Sequence, residues 1–257
     1  MTIFTCKDAY EDMMTCIYAG WEWALKNGHE NLRLMKEPIE QPSLFDQYIH
    51  IEKDREKSLK VTRSIVKKLS IKAYIDIYNV LLFYEDRLDD VYRYLRLGFK
   101  AGSKITDMLT EPIVMKISKI SKSVSNEASL FREFARFNSV DNKVYICHLE
   151  PKSNVVYYVA AHFQDRMPSE NWIIIDDNRK LAVVHPKNEK MYLTYLDDKQ
   201  FERLSESERL KDEYTTLWQT FFDSIAIKQR ENYNCQRGHF PIWMRKHTVE
   251  FNNNTYK

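Results

Sequence analysis

Two adjacent carboxylates, Asp176 and Asp177, close the run Trp172-Ile173-Ile174-Ile175, the most strand-like apolar segment of the chain. Paired carboxylates can bind a hard cation or divide the work of acid and base, although Asp-Asp-Asn-Arg is also an ordinary turn sequence. His162 is the other catalytic candidate. Helical spacing sets Tyr158, His162 and Arg166 at i, i+4 and i+8. On that polar stripe an imidazole can carry a proton or donate to a phosphate; the plainer reading is a half-buried His satisfied by a backbone carbonyl. The sequence leaves open whether the protein is an enzyme.

A second constellation is basic and aromatic. Between Ala226 and His247 lie Lys228, Arg230, Arg237, Arg245 and Lys246 against a single acid, Glu231, with Tyr233, Phe240 and Trp243 interleaved and Asn232 and Gln236 among them. Cations neutralise phosphate and aromatic rings stack on bases, so the mixture suits a nucleic acid. Arg132 and Arg136, one helical turn apart and flanked by Phe131, Phe134 and Phe137, can hold adjacent phosphates or form salt bridges to Glu127 or Glu133. Cys235 and His239, with His247 further on, make only one irregular half of a tetrahedral motif, so no metal and no cofactor are expected. Gly102-Ser103-Lys104 lacks the earlier glycine of a phosphate loop.

These residues need elements to position them. The pattern predicts a strand at Thr2 to Thr5, a helix from Tyr10 to Lys26 ended by Gly28, a polar linker with Pro38 and Pro42, and a short strand Tyr48 to Ile51. A basic helix Lys53 to Leu69 follows, with Leu59, Val61, Ile65, Val66 and Leu69 facing inward, and then helices Ile71 to Tyr84, Leu88 to Gly98, Ser103 to Leu109 and Pro112 to Val124. From Ser125 the pattern changes. A short helix ending in the segment Phe131 to Asn138 leads to a strand Lys143 to Leu149, a helix Asn154 to Met167, and a meander Trp172 to Asp176, Leu181 to His185 and Met191 to Leu196. Ser205 with Glu208 reads as a capping box opening a last helix that runs to Arg230, with Leu210, Tyr214, Leu217, Trp218, Phe221, Phe222 and Ile225 on one apolar face.

The fold class is therefore α+β, with a mostly helical region 1–124 and an α+β domain 125–257 carrying a small mixed or antiparallel sheet, packed as one unit. The hydrophobic share of 44% and charged share of 30% are those of a globular protein that can bury a core. No segment is long enough to span a bilayer and no signal peptide is evident, so the expected location is cytoplasmic, without a membrane partner. Four separated cysteines are expected as thiols. A net charge of +2 makes any nucleic-acid reading depend on local clustering. Lys53 to Lys72 is one such cluster.

Several phrases together resemble a bacterial family of unknown function grouped with DNA metabolism and DNA repair proteins. They are Tyr48-Ile49-His50-Ile51-Glu52, Tyr94-Leu95-Arg96-Leu97-Gly98-Phe99, Phe131 to Asn138, His162-Phe163-Gln164-Asp165-Arg166, Asn171-Trp172-Ile173, and Ser224 to Asn232 with Gln236-Arg237 and Pro241. The similarity covers essentially the whole chain and departs at Asp8-Ala9-Tyr10, where much of the family has Asp-Gly. Members accompany a radical-SAM protein, and related domains are fused to uracil-DNA glycosylase-like domains. This chain has no three-cysteine cluster motif, so the resemblance implies a DNA-binding accessory factor in repair whose radical-SAM partner carries the cluster. It implies DNA contacts at Arg132, Arg136, His162, Arg166, Lys228, Arg230, Asn232, Gln236, Arg237, Arg245 and Lys246, with Trp243 or Phe240 as a stacking platform. A glycosylase-like hydrolase using His162 and a carboxylate, and an adaptor without direct DNA contact, are the alternatives.

Overall fold

The structure, a computed structural model, describes residues 1–39, 41–140, 143–208, 213–225, 227–248 and 250. The chain is α+β and divides into two compact units, Met1–Ser125 and Asn126–Lys257.

The first unit holds a three-stranded parallel sheet in the order β2-β1-β3, from β1 (Thr2–Cys6), β2 (Leu32–Lys36) and β3 (Gln47–His50). Between β1 and β2 runs α1 (Tyr10–Asn27), which Gly28 ends at φ 84°, a left-handed conformation that favours glycine. α2 (Arg55–Lys68) starts where the Asp54 carboxylate accepts the N–H groups of Glu56 and Lys57 at 2.9 and 3.1 Å. Ser70 caps α3 (Ile71–Leu82) in the same way, through Ala73 N–H at 3.0 Å. α4 (Leu88–Ala101) then packs so closely that a Cβ on Gly98 would stand 2.7 Å from Leu69. The core runs from Phe4 and Leu34 through Met14, Ile17, Ile65 and Ile77 to Leu95 and Ile117.

Four details of this unit differ from the sequence reading. The linker after Gly28 contains β2, because Leu32 and Leu34 are buried against the sheet while Arg33 is exposed. On α2 the inward line is Ser58, Val61 and Ile65, so Leu59 and Val66, one position off that line, are exposed. Residues Gly102–Asp107 form a 3-10 helix. Finally, α5 (Pro112–Phe134) is one continuous helix where two were expected, since no Gly or Pro interrupts it at Ser125.

The second unit is built on a five-stranded mixed sheet in the order β4-β5-β6-β7-β8: β4 (Asn138–Val140), β5 (Val144–Leu149), β6 (Trp172–Asp176), β7 (Leu181–His185) and β8 (Tyr192–Tyr195). β5 and β6 are parallel, and the connection between them carries α6 (Val156–Arg166); the other pairings are antiparallel. Lys180 (φ 49°) makes the β6–β7 turn. Side chains alternate across the sheet. One face presents Ile146, Ile173, Ile175 and Ala182 to Phe201 and Leu204 of α7 (Asp198–Glu208). On the other face Cys147, Trp172 and Ile174 are fully buried, and α6, which packs on β6 and β7, contributes buried Val156, Val159, Ala160 and Phe163.

The C-terminal helices correct the expected single long helix. Ser205 lies inside α7 and not at a helix start, and α8 (Glu213–Ile225) is followed by a 3-10 turn Lys228–Arg230 and by α9 (Tyr233–His239). Leu210, Lys211 and the Glu208 and Tyr214 side chains lie outside the described residues. Of the residues read onto one apolar face of this stretch, Leu217, Trp218, Phe221 and Ile225 are exposed. A stripe specifies that a surface prefers apolar contact and not which surface supplies it. Among the described residues no helix is long and apolar enough to cross a membrane.

Candidate active site and nucleic-acid face

The parallel pair β5 and β6 brings polar side chains together at its carboxyl ends, where ligands of open α/β sheets commonly sit. The register pairs His148 with Ile175 and Leu149 with Asp176, and Asp177 N–H donates to Leu149 C=O at 2.9 Å, carrying the ladder one step past the strand. By alternation His148, Glu150 and Asp177 share the face that α7 covers. His148 is buried; its Nδ1 lies 2.8 Å from Asp177 Oδ1 and its Nε2 3.3 Å from the Leu204 carbonyl. Asp177 Oδ2 lies 3.4 Å from Nε2 of His247, and that nitrogen is 3.7 Å from Glu150 Oε1. The rings of His148 and His247 stack with centroids 6.0 Å apart. Two imidazoles and two carboxylates thus meet in one place.

The loops around this centre are fastened. Glu127 accepts the N–H groups of Lys152 at 2.6 Å and Ser153 at 3.2 Å, so residues 150–153 are held from α5. Arg179 binds Asp176 at 2.9 Å and the carbonyls of Pro151 at 3.1 Å and Lys152, while Asn178 donates to Pro151 C=O at 3.0 Å. Asp176 is fully buried on the opposite face from Asp177. Burial raises its pKa, and Arg179 works against that rise. The two adjacent carboxylates therefore have different jobs: Asp176 ties a turn, and Asp177 joins the histidines.

Of the catalytic candidates read from the sequence, Asp177 stands in this centre, Asp176 supports the turn beneath it, and His162 is exposed on α6, edge-on to Phe163 at 5.1 Å. His148 and Glu150 were missed. Their signal is the alternation His-Leu-Glu at the end of a strand, which points two titratable side chains to one face.

The nucleic-acid candidates fall into two groups. Arg136 binds Glu250 through Nε at 2.9 Å and Nη2 at 2.5 Å, and its guanidinium lies over Trp218 at 5.8 Å. Arg245 is buried and donates to Phe240 C=O at 2.8 and 3.0 Å and to Gln236 Oε1 at 3.4 Å; burial, with Arg237 nearby, lowers its pKa. Phe240 is buried against Phe134, with ring centroids 3.8 Å apart, and is no open platform. Lys246 pairs with Glu150. Arg132 is part-buried, and its Nε has no hydrogen-bond partner among the described residues. Arg136, Phe240, Arg245 and Lys246 serve internal contacts first.

The other group is exposed. Arg230, Arg237 and Arg166 reach solvent, and the Lys228 side chain lies outside the described residues. Asn232 caps α9 by accepting Cys235 N–H at 3.0 Å. Trp243, 38% exposed, packs edge-on to Phe131 at 6.0 Å and carries the Lys152 ammonium over its ring at 4.7 Å.

No curated protein matches the chain. A family model matches residues 85–250, a span that includes every side chain of the histidine–carboxylate centre and the exposed Arg166, Arg230, Arg237 and Trp243, and the chain therefore belongs to the family described as a domain of unknown function (DUF4130).

Proposed function

We propose that the second unit binds DNA through the face that includes Arg230, Asn232, Arg237 and Trp243, and that the protein works in the cytoplasm as an accessory to a radical-SAM partner in repair. The partner and the repair setting come from the family resemblance. The observation that carries the DNA reading is Trp243: an exposed indole with a lysine ammonium on its face offers a stacking surface and a phosphate ligand side by side. Arg136, Arg245 and Lys246, which are held by internal partners, are left out of the contact surface.

Fluorescence anisotropy with single-stranded, duplex and uracil-containing DNA across a salt series tests this. Binding should weaken steeply with salt, and Arg230→Ala with Arg237→Ala should reduce the slope by about one for each phosphate no longer bound. Trp243→Ala should lower affinity for single strands by about 1–3 kcal/mol with an unchanged slope. Absence of salt-sensitive binding would leave the adaptor reading in its place.

A second reading has its own support. The His148–Asp177 pair is an acid–base arrangement fit for hydrolysis, replacing His162 with a buried histidine already oriented by a carboxylate. Turnover of a DNA substrate that disappears in Asp177→Asn while DNA binding persists would establish a processing enzyme.

A further inference from the structure

Glu150, Asp177 and His247 come from three separate places: the ends of two parallel strands and the C-terminal segment. One ligand atom from each lies within 4.8 Å of the others, and His247 Nε2 faces both Asp177 Oδ2 and Glu150 Oε1. We propose that these three side chains form a site for a divalent cation of the zinc class, with His148 as the outer partner that orients Asp177. The proposal stands apart from the DNA-binding reading and needs neither that face nor a radical-SAM partner.

The dimensions carry it. A tetrahedral zinc ion with oxygen and nitrogen ligands about 2.0–2.2 Å away sets neighbouring ligand atoms about 3.3–3.6 Å apart. His247 Nε2 stands 3.4 Å from Asp177 Oδ2 and 3.7 Å from Glu150 Oε1, so two sides of the triangle are near that spacing, and rotation of Glu150 toward Asp177 from within 4.8 Å would close the third. Two carboxylates and one imidazole suit a borderline cation better than calcium or magnesium, which prefer oxygen throughout. Three protein ligands leave a fourth position for water or a substrate oxygen, the pattern of metal sites that perform chemistry.

The outer shell is already in place. His148, buried beneath α7, engages Oδ1 of Asp177 on one side and the Leu204 carbonyl on the other, leaving Oδ2 toward His247. Buried support of this kind fixes a ligand's direction and basicity. Lys246 opposes the ion: its ammonium rests on the same Glu150 oxygen that would ligate. Metal and lysine therefore compete for Glu150, and the lysine supplies the positive charge that the carboxylates require when no ion is bound.

That competition gives the test. Full-length protein in a Cys235→Ser background, which removes the exposed thiol, is stripped with chelator and titrated with ZnCl2 by calorimetry and with CoCl2 by visible absorption. One ion per chain should bind, with the visible bands of tetrahedral cobalt. Asp177→Asn and His247→Gln should each weaken binding by more than the roughly 10–100-fold that loss of an outer partner costs, and Lys246→Ala should bind more tightly than its parent. Glu150→Gln, on the more exposed carboxylate, decides the question if circular dichroism shows Asp177→Asn unfolded. Failure of both the parent and Lys246→Ala to bind zinc overturns the proposal. So does binding that the ligand variants leave unchanged, which would place the ion elsewhere. Lost metal binding with intact DNA binding separates this site from the proposed DNA face.

Discussion

Each unit sets a histidine against a carboxylate at the carboxyl ends of parallel strands, and the two pairs live in different surroundings. In the first unit Glu37 follows β2 and His50 ends β3; His50 Nδ1 lies 2.7 Å from Glu37 Oε1, and each side chain is 33% exposed. In the second, His148 and Asp177 meet at 2.8 Å with the histidine side chain 1% exposed. The contact is nearly identical and its consequences are not. Glu37 also accepts the Thr5 hydroxyl at 2.6 Å, and that bond, followed by His50, lowers its pKa, while Glu37 raises that of His50. Water screens the first pair and lets protons come and go. The second is held by α7 and by fastened loops, so its cost of disruption is structural. Strand topology places such pairs; burial decides whether they respond to solvent or hold a shape.

The sharpest way to break the comparison is to delete both histidines. His148→Ala should cost about 3 kcal/mol in denaturant unfolding, because Asp177 and the Leu204 carbonyl lose a buried partner and a cavity opens. His50→Ala should cost a small fraction of that. Equal losses would mean that burial is not what separates the pairs. Next in size is Glu127→Ala, which should cost about 1–2 kcal/mol by orphaning the Lys152 and Ser153 amides. Faster hydrogen exchange confined to residues 150–155 would show that this loop is fastened in a way the first unit does not need.

A smaller effect belongs to pH. His50 has a folded pKa above its ordinary value of 6.5, so its pairing contributes stability fully below that value and loses it as pH rises through the raised one. The melting temperature of the wild type should therefore fall relative to His50→Gln as pH increases across that window; a constant difference would remove the Glu37 interaction as its cause. The smallest effect is Thr5→Val, which deletes the first support of Glu37. An NMR titration should find the Glu37 carboxyl moved up toward its ordinary range, with the His50 contact retained.

Much of the fold is legible where local signals act alone. α1 carries helical periodicity to Gly28, which ends it, whereas α4 runs through Gly98, where the pattern predicts its end, and stops at Gly102; Asp54 and Ser70 cap the starts of α2 and α3. β2 is not legible in that way, because Leu32 to Lys36 is short and becomes a strand by pairing with β1. The same limit governs the site. Asp177 can be picked out as one of two adjacent carboxylates, but His148 acquires meaning only when β5 and β6 align in parallel and bring it beside a residue 29 positions away. Counting charges along 226–247 groups Arg245 with Arg237, although one is buried under its own segment and the other exposed. Charge is written in the sequence, and access to solvent is a property of the packing.

The alternation along β5 has a genetic corollary. His148 and Glu150 face α7 because each is an even step from Ile146. An in-frame insertion of a single codon between Ile146 and His148 would send both side chains to the opposite face of the sheet while deleting no residue of the centre. The same insertion in the connection before α6 would leave every strand position in phase. Length variation among natural relatives is therefore expected to gather in that connection and to be purged from the stretch between Ile146 and Leu149.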